Sequence, residues 1–162
     1  MLKFAASLAL STALLTVPVS MALASSGQEI SNNLNKCRPG NGPAVLVNLQ
    51  GVKEASGNIR VQSYRGTQSE WLKKGAWLKR IEVPAQRGNM MFCVPIAESG
   101  TYAIAVRHDV NGNGKTDIST DGGGMSNNPS INIFNLGKPS YKKTAISVGE
   151  DVKTITIRMK YM

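Results

Sequence analysis

Short runs of alternating apolar and polar residues, separated by turn-forming residues, recur along the chain. A period of two predicts strands. Seven such runs stand out, at 43–50, 58–64, 77–83, 90–96, 101–107, 143–148 and 152–159. Ile59 and Val61 alternate with Arg60 and Gln62, and Ile155 and Ile157 with Thr154, Thr156 and Arg158. Trp77, Lys79, Ile81 and Val83 fall on one face of the third run. Residues 51–57 and Gly149-Glu150-Asp151 are short enough for hairpin connections, and Glu98-Ser99-Gly100 reads as a tight turn. Only 69–75 reads as a helical turn.

This pattern predicts an all-β chain, a single antiparallel β-sandwich of about seven strands with Ig-like or transthyretin-like Greek-key connections. A barrel is the alternative, because alternation alone does not separate the two. A long glycine-rich loop, 108–128, interrupts the strands.

The ends refine the picture. Lys3, an uncharged apolar stretch over 5–19 and Ala22-Leu23-Ala24 have the layout of a signal peptide spanning 1–24. The expected arrangement is that leader, a polar N-terminal tail over 25–42 and a sandwich domain over 43–162. The apolar run is too short to favour a membrane span, so no transmembrane segment is expected after signal removal. The first cysteine is Cys37, not a residue next to the cleavage site, which argues against a lipid anchor. Export, periplasmic or secreted, means an oxidising compartment. Cys37 and Cys93 then read as one disulfide, with a buried free thiol at Cys93 as the alternative. Without C-x-x-C spacing and with one histidine, a structural zinc site is not expected.

The net charge is +9 and the pI about 9.8, and loss of Lys3 would lower the charge by one. Such a chain is drawn to anionic material. For an exported protein that means acidic glycan, envelope lipid or cell-wall polymer, with no nucleic acid expected. Plain solubility is the other reading of the charge.

The most specific chemistry is in Asp109-Val-Asn-Gly-Asn-Gly-Lys-Thr-Asp117. Oxygen-bearing side chains stand at loop positions 1, 3, 5 and 9, with glycine at 6. This is the spacing of an EF-hand calcium loop, since a hard cation needs six to eight oxygens and a sharp central turn. Asp109, Asn111, Asn113, the Lys115 carbonyl, Asp117 and the more distant Asp121 are the candidate ligands. Position 12 is Thr120 in place of a bidentate Glu, and position 8 is Thr116 in place of an aliphatic residue. The preceding strand also replaces an entering helix. The competing reading is a metal-free, turn-rich connection.

A second candidate is Trp71-Leu-Lys-Lys-Gly-Ala-Trp-Leu-Lys-Arg80, where Trp71 and Trp77 interleave with Lys73, Lys74, Lys79 and Arg80. Aromatic platforms among cations suit sugars or lipid headgroups, and burial of the tryptophans in the core is the alternative. His108 and Asp109 are adjacent, and neighbours on a strand point to opposite faces, so they form no base–orienter pair. Ser126 is the only nucleophile nearby. No enzyme is expected. Gly122-Gly-Gly124 offers backbone N–H groups to an anion, but no nucleotide-binding glycine pattern accompanies it. Met125-Ser-Asn-Asn-Pro129 is expected to fold the loop back onto the sheet, its Asn side chains bonding to backbone.

Several blocks together carry a family resemblance: Gly57-Asn-Ile-Arg-Val61, Trp71-Leu-Lys-Lys-Gly75, Gly100-Thr-Tyr-Ala-Ile-Ala-Val106, His108 to Asp117, Met125-Ser-Asn-Asn128 and Lys138-Pro-Ser-Tyr141. In that order they resemble an exported bacterial family, domain of unknown function 2141, over about 45–159. The resemblance implies export and a β-sandwich, and a loop of the Asp-x-Asn-x-Asn-Gly-x-x-Asp type followed by Ser-Asn-Asn. It carries no established activity. Thr116 and the compact Asp121-Gly-Gly-Gly124 depart from the pattern, and the cysteines lie outside it.

The function expected is a non-catalytic exported module with a weak structural calcium site in the 109–121 loop and an unknown partner. The alternative is a cationic surface binder for an anionic envelope component, acting through the Trp71–Arg80 block without calcium.

Overall fold

The computed structural model describes residues 27–162; the expected signal peptide 1–24 lies outside the described residues. Ten strands form two packed sheets: β1 (Gln28–Glu29), β2 (Ala44–Val52), β3 (Asn58–Arg65), β4 (Lys79–Pro84), β5 (Gly88–Pro95), β6 (Gly100–Asp109), β7 (Gly122–Met125), β8 (Ile146–Val148), β9 (Val152–Arg158) and β10 (Lys160–Tyr161). The larger sheet runs β1-β4-β3-β6-β7-β10, with β8 also on β6, and the smaller runs β5-β2-β9. A single helical turn, α1 (Tyr141–Thr144), precedes β8. No closed barrel forms, and the all-β sandwich stands.

Alternation explains the layers. Val45, Val47 and Leu49 of β2 face Ile59 and Val61 of β3 and Tyr102, Ile104 and Val106 of β6, with Phe92, Val94 and Ile157 filling the same core. These residues are almost fully buried, while Arg60, Gln62 and Arg107 between them face outward. Removing that much apolar surface from water is the main stabilising term.

The pairing differs from the expected antiparallel pattern in two places. β2 and β9 are parallel over Ala44–Gln50 and Val152–Arg158, and β1 pairs in parallel with β4. Neither expected hairpin forms. The 51–57 connection carries the chain from the small sheet to the large one, and Gly149-Glu150-Asp151 separates β8 on β6 from β9 on β2. Both flanking segments bury an apolar face in the interlayer core, and crossing between sheets brings both faces inward. Residues 69–75 form turns and not a helix, with Leu72 at a positive φ of 54°.

The 27–42 segment is not a loose tail. After β1 it crosses to the small sheet, where the Asn32 amide donates to Met91 O at 2.9 Å and its oxygen accepts from Cys93 N at 3.1 Å. These bonds cover the free edge of β5, an edge that otherwise invites pairing with another chain. Cys37 and Cys93 are disulfide-bonded with Cα atoms 5.7 Å apart. The bridge packs with Ala44 and Leu46 on the outer side of the small sheet.

The glycine-rich segment contributes β7, a strand that alternation does not signal. A Cβ at Gly124 would lie 2.6 Å from Ile157 Cγ2, and one at Gly122 would collide with the Tyr161 ring. Gly123 points the other way, where a Cβ would meet only Ile131 Cδ1, at 3.9 Å. The strand therefore packs tightly on its inner side and leaves a gap on its outer side.

Candidate functional site

The end of β6 sets the site. Tyr102, Ile104, Val106 and His108 point inward, so Arg107 and Asp109 share the outer face. The His108 ring is fully buried between the Tyr161 hydroxyl (Nδ1, 2.8 Å) and the Ser56 carbonyl (Nε2, 2.8 Å). It does not contact the loop oxygens as a ligand. Ser126, also buried, donates to the Thr144 carbonyl on the other side of the sheet end. Those contacts spend both groups on the scaffold.

Asp109 begins the loop. Its Oδ2 accepts from Gly114 N at 2.8 Å and from Arg107 Nη2 at 3.2 Å. Its Oδ1 is buried and has no hydrogen-bond partner, on a residue only 2% exposed. The Asn111 and Asn113 side-chain oxygens accept from the backbone N–H two residues on, at 3.1 and 2.7 Å. These Asx turns curl the chain, and Gly112 and Gly114 take the positive φ angles, 67° and 76°, that the curl requires. Gly57 sits so close beneath that a Cβ there would collide with the carbonyl oxygens of Asp109 and Val110.

Asp117 Oδ2 accepts from the Asn111 and Asn113 amide groups at 2.9 and 2.7 Å. Those hydrogen bonds, Asn111 first and Asn113 second, hold its carboxyl below the ordinary value. Asp121 is engaged differently. Its two oxygens accept from Val110 N at 3.1 Å and Asp117 N at 3.0 Å, so it clamps the two ends of the loop.

Asp109, Asn111, Asn113, Lys115 and Asp117 thus share one curled loop. Among the described residues no three His, Cys, Asp or Glu side chains form a metal-holding group. The loop's oxygens come mainly from amides and the main chain, with Asp109 and Asp117 as the carboxylates. Arg107 is the participant that sequence reading missed. Its guanidinium reaches Asp109 Oδ2, Gly114 O at 3.2 Å and Thr116 Oγ1 at 3.1 Å, and it braces the outer side of the loop. Its place two residues before Asp109 on a strand was the available signal, because such residues share a face.

Asn127 and Asn128 fold the loop back as expected and lie away from the oxygen set. The Asn127 amide donates to Ala145 O, and Asn128 bonds Thr156 O and Arg158 N, at 2.9, 2.8 and 2.7 Å.

The Trp71–Arg80 block is divided. Trp71 donates its indole N–H to Pro139 O at 2.8 Å and stacks edge-on against Tyr64. Arg80 lies over the Trp77 ring at 4.0 Å and pairs with Glu29 at 2.9 Å. Lys79 is bonded to Gln28. Lys73, Lys74, Trp77 and Arg80 border one shallow depression, which Trp71 and Lys79 do not line.

Beside that depression lies a groove of about 270 Å³ on the outer face of the large sheet. Register places Glu82, Arg60, Arg107, Gly123 and Lys160 in one row across β4, β3, β6, β7 and β10. Arg60 pairs with Glu82 at 2.7 Å, and Arg107 with Asp109. Lys160 and Lys138, at the groove's rim, make no ion pair among the described residues. No helix among the described residues is long and apolar enough to cross a membrane.

A family model described as an uncharacterized protein conserved in bacteria (DUF2141) matches residues 47–156, which takes in most of both sheets, without β1 and β10, together with the 109–121 loop. No curated protein and no solved structure matches the chain.

Proposed function

The chain belongs to the bacterial family DUF2141, and we propose that it is a non-catalytic exported module whose 109–121 loop holds a calcium ion weakly. The observation that carries this reading is Asp109 Oδ1, a buried carboxylate oxygen without a partner. A buried acceptor left bare costs about 1–3 kcal/mol, more if charged, and a hard cation removes that cost. Asp109, Asn111, Asn113, the Lys115 carbonyl and Asp117 would hold the ion. Calcium supplies charge neutralisation there, drawing the loop's oxygens together. The positive chain and the amide-rich ligand set weaken the site, so a dissociation constant on the order of 10⁻⁴ to 10⁻³ M is expected, as in extracellular modules. The disulfide supports the exported half of the proposal, because such bonds persist in oxidising compartments.

Thermal unfolding with the disulfide intact tests the reading. At ten times the dissociation constant, linkage contributes about 1.4 kcal/mol, which raises Tm by a few degrees. The rise should appear with calcium and not with magnesium, and should vanish in Asp117→Asn and in Asp109→Ala. No response of the wild-type chain to millimolar calcium against excess chelator overturns the proposal.

A further inference from the structure

The glycine gap on β7 coincides with a change in surface chemistry. Along the row Arg60–Arg107–Gly123–Lys160, every position but one carries a cation, and Gly123 leaves a cleft between Arg107 and Lys160. The cleft opens into an apolar floor that includes Met125 and Ile131. Six large apolar side chains are exposed among the described residues, and three of them, Ile118, Leu136 and Met162, line this groove. Leu136 is 68% exposed, and Phe134, 92% exposed, stands two residues away. Exposed apolar side chains gathered around a cleft mark a binding surface.

We propose that this groove binds a single-chain aliphatic carboxylate, its chain on the apolar floor and its acid group over Gly123 between Arg107 and Lys160. Charge complementarity selects this occupant. Asp121 is the one acidic residue in the lining, and backbone N–H groups engage both its oxygens. Arg107 is balanced by Asp109, whereas Lys138 and Lys160 are free to meet an anion. At about 270 Å³ the groove is small for a drug-sized ligand, and one medium-length chain suits it. The proposal does not rest on the calcium reading: Gly123, Leu136, Lys138 and Lys160 lie outside the loop's oxygen set, while Arg107, Thr116, Ile118 and Asp121 belong to both groove and loop, which is why each titration is run with and without calcium.

Titration calorimetry of the disulfide-bonded chain with decanoate, decanol, decyltrimethylammonium and acetate tests the proposal, each in calcium and in chelator. Decanoate should bind more tightly than decanol, and the other two should not bind measurably. Lys138→Gln combined with Lys160→Gln should weaken decanoate by roughly tenfold. Gly123→Val should abolish binding with its melting temperature kept, because a Cβ there meets only Ile131 Cδ1 at 3.9 Å. If that variant does not fold, Leu136→Asp at its exposed position is the substitute and should also abolish binding. Equal affinity for decanoate and decanol, binding of acetate as tight as that of decanoate, or full decanoate affinity in a folded Gly123→Val or in Leu136→Asp overturns the proposal, as does no decanoate binding at all.

Discussion

The Tyr161 hydroxyl lies 2.8 Å from Nδ1 of His108 and 3.0 Å from Lys53 N, and these contacts assign the protons of a buried chain of hydrogen bonds. The Ser56 carbonyl only accepts, so His108 Nε2 carries a proton. Lys53 N–H donates to the tyrosine oxygen, which leaves the hydroxyl hydrogen for Nδ1. In that arrangement each group in the chain is satisfied once. Burial also raises the Tyr161 hydroxyl above its ordinary pKa, which keeps it a donor.

Tyr161→Phe should therefore destabilise the fold by about 1–3 kcal/mol, because Nδ1 of a fully buried histidine loses its donor. Urea unfolding at neutral pH measures it. A change within error would mean that water replaces the hydroxyl.

Acid should loosen the loop through Asp117. Its carboxyl is held below the ordinary 3.8 by the Asn111 and Asn113 amides, so the fold favours the ionised form. The contribution is complete above that ordinary value and is lost as pH falls through the lower folded value. The side-chain amide resonances of Asn111 and Asn113 should titrate together below pH 3.8 in chelator, and Asp117→Asn should remove that titration.

The disulfide closes a separation of 56 residues. In the chain-entropy model such a closure contributes about 4 kcal/mol. Cys37→Ser with Cys93→Ser should lower the melting temperature substantially, and reductant should lower it in the wild-type chain only. If the double variant melts with the oxidised parent, the contacts of Asn32 and the 34–37 turn are enough to hold the segment.

Two adjacent β7 glycines should respond differently to the same change. Gly124→Ala drives a methyl to 2.6 Å from Ile157 Cγ2 and should cost about 1–3 kcal/mol. Gly123→Ala, one residue away, should stay within about 0.5 kcal/mol. Denaturant midpoints for the pair decide whether the strand is packed on one side only.

Much of the architecture was legible because it rests on local signals. Period-two alternation depends on consecutive residues, and it located six of the expected strands and the end of the seventh, 143–148, whose first residues belong to α1 and only Ile146–Val148 to β8; it also separated Arg60 and Gln62 from Ile59 and Val61. With only Cys37 and Cys93 present, any intrachain disulfide had to join these two, and the structure decided between that bond and a free thiol at Cys93. The oxygen spacing of 109–117 marked the curled loop, since Asx turns are made by residues two apart. The blocks that carry the family resemblance are likewise read in order along the chain.

Tertiary structure decided the rest, for physical reasons that no local run contains. Backbone ladders accept any side chain, so nothing in 43–50 or 152–159 announced that β2 and β9 run parallel or that the 149–151 turn separates two sheets. β7 has no side-chain pattern at Gly122-Gly-Gly124. It becomes a strand because the distant residues Ile157 and Tyr161 leave no room for a Cβ. Asp121 is a more distant candidate ligand by position, and only the fold brings its oxygens to the N–H groups of Val110 and Asp117. The groove exists only when β6, β7 and β10 align Arg107, Gly123 and Lys160, residues 53 positions apart at their extremes, into one row. Sequence determined which residues face in or out along each strand; the packing of the two layers determined which strands became neighbours, and so which outward-facing residues stand together.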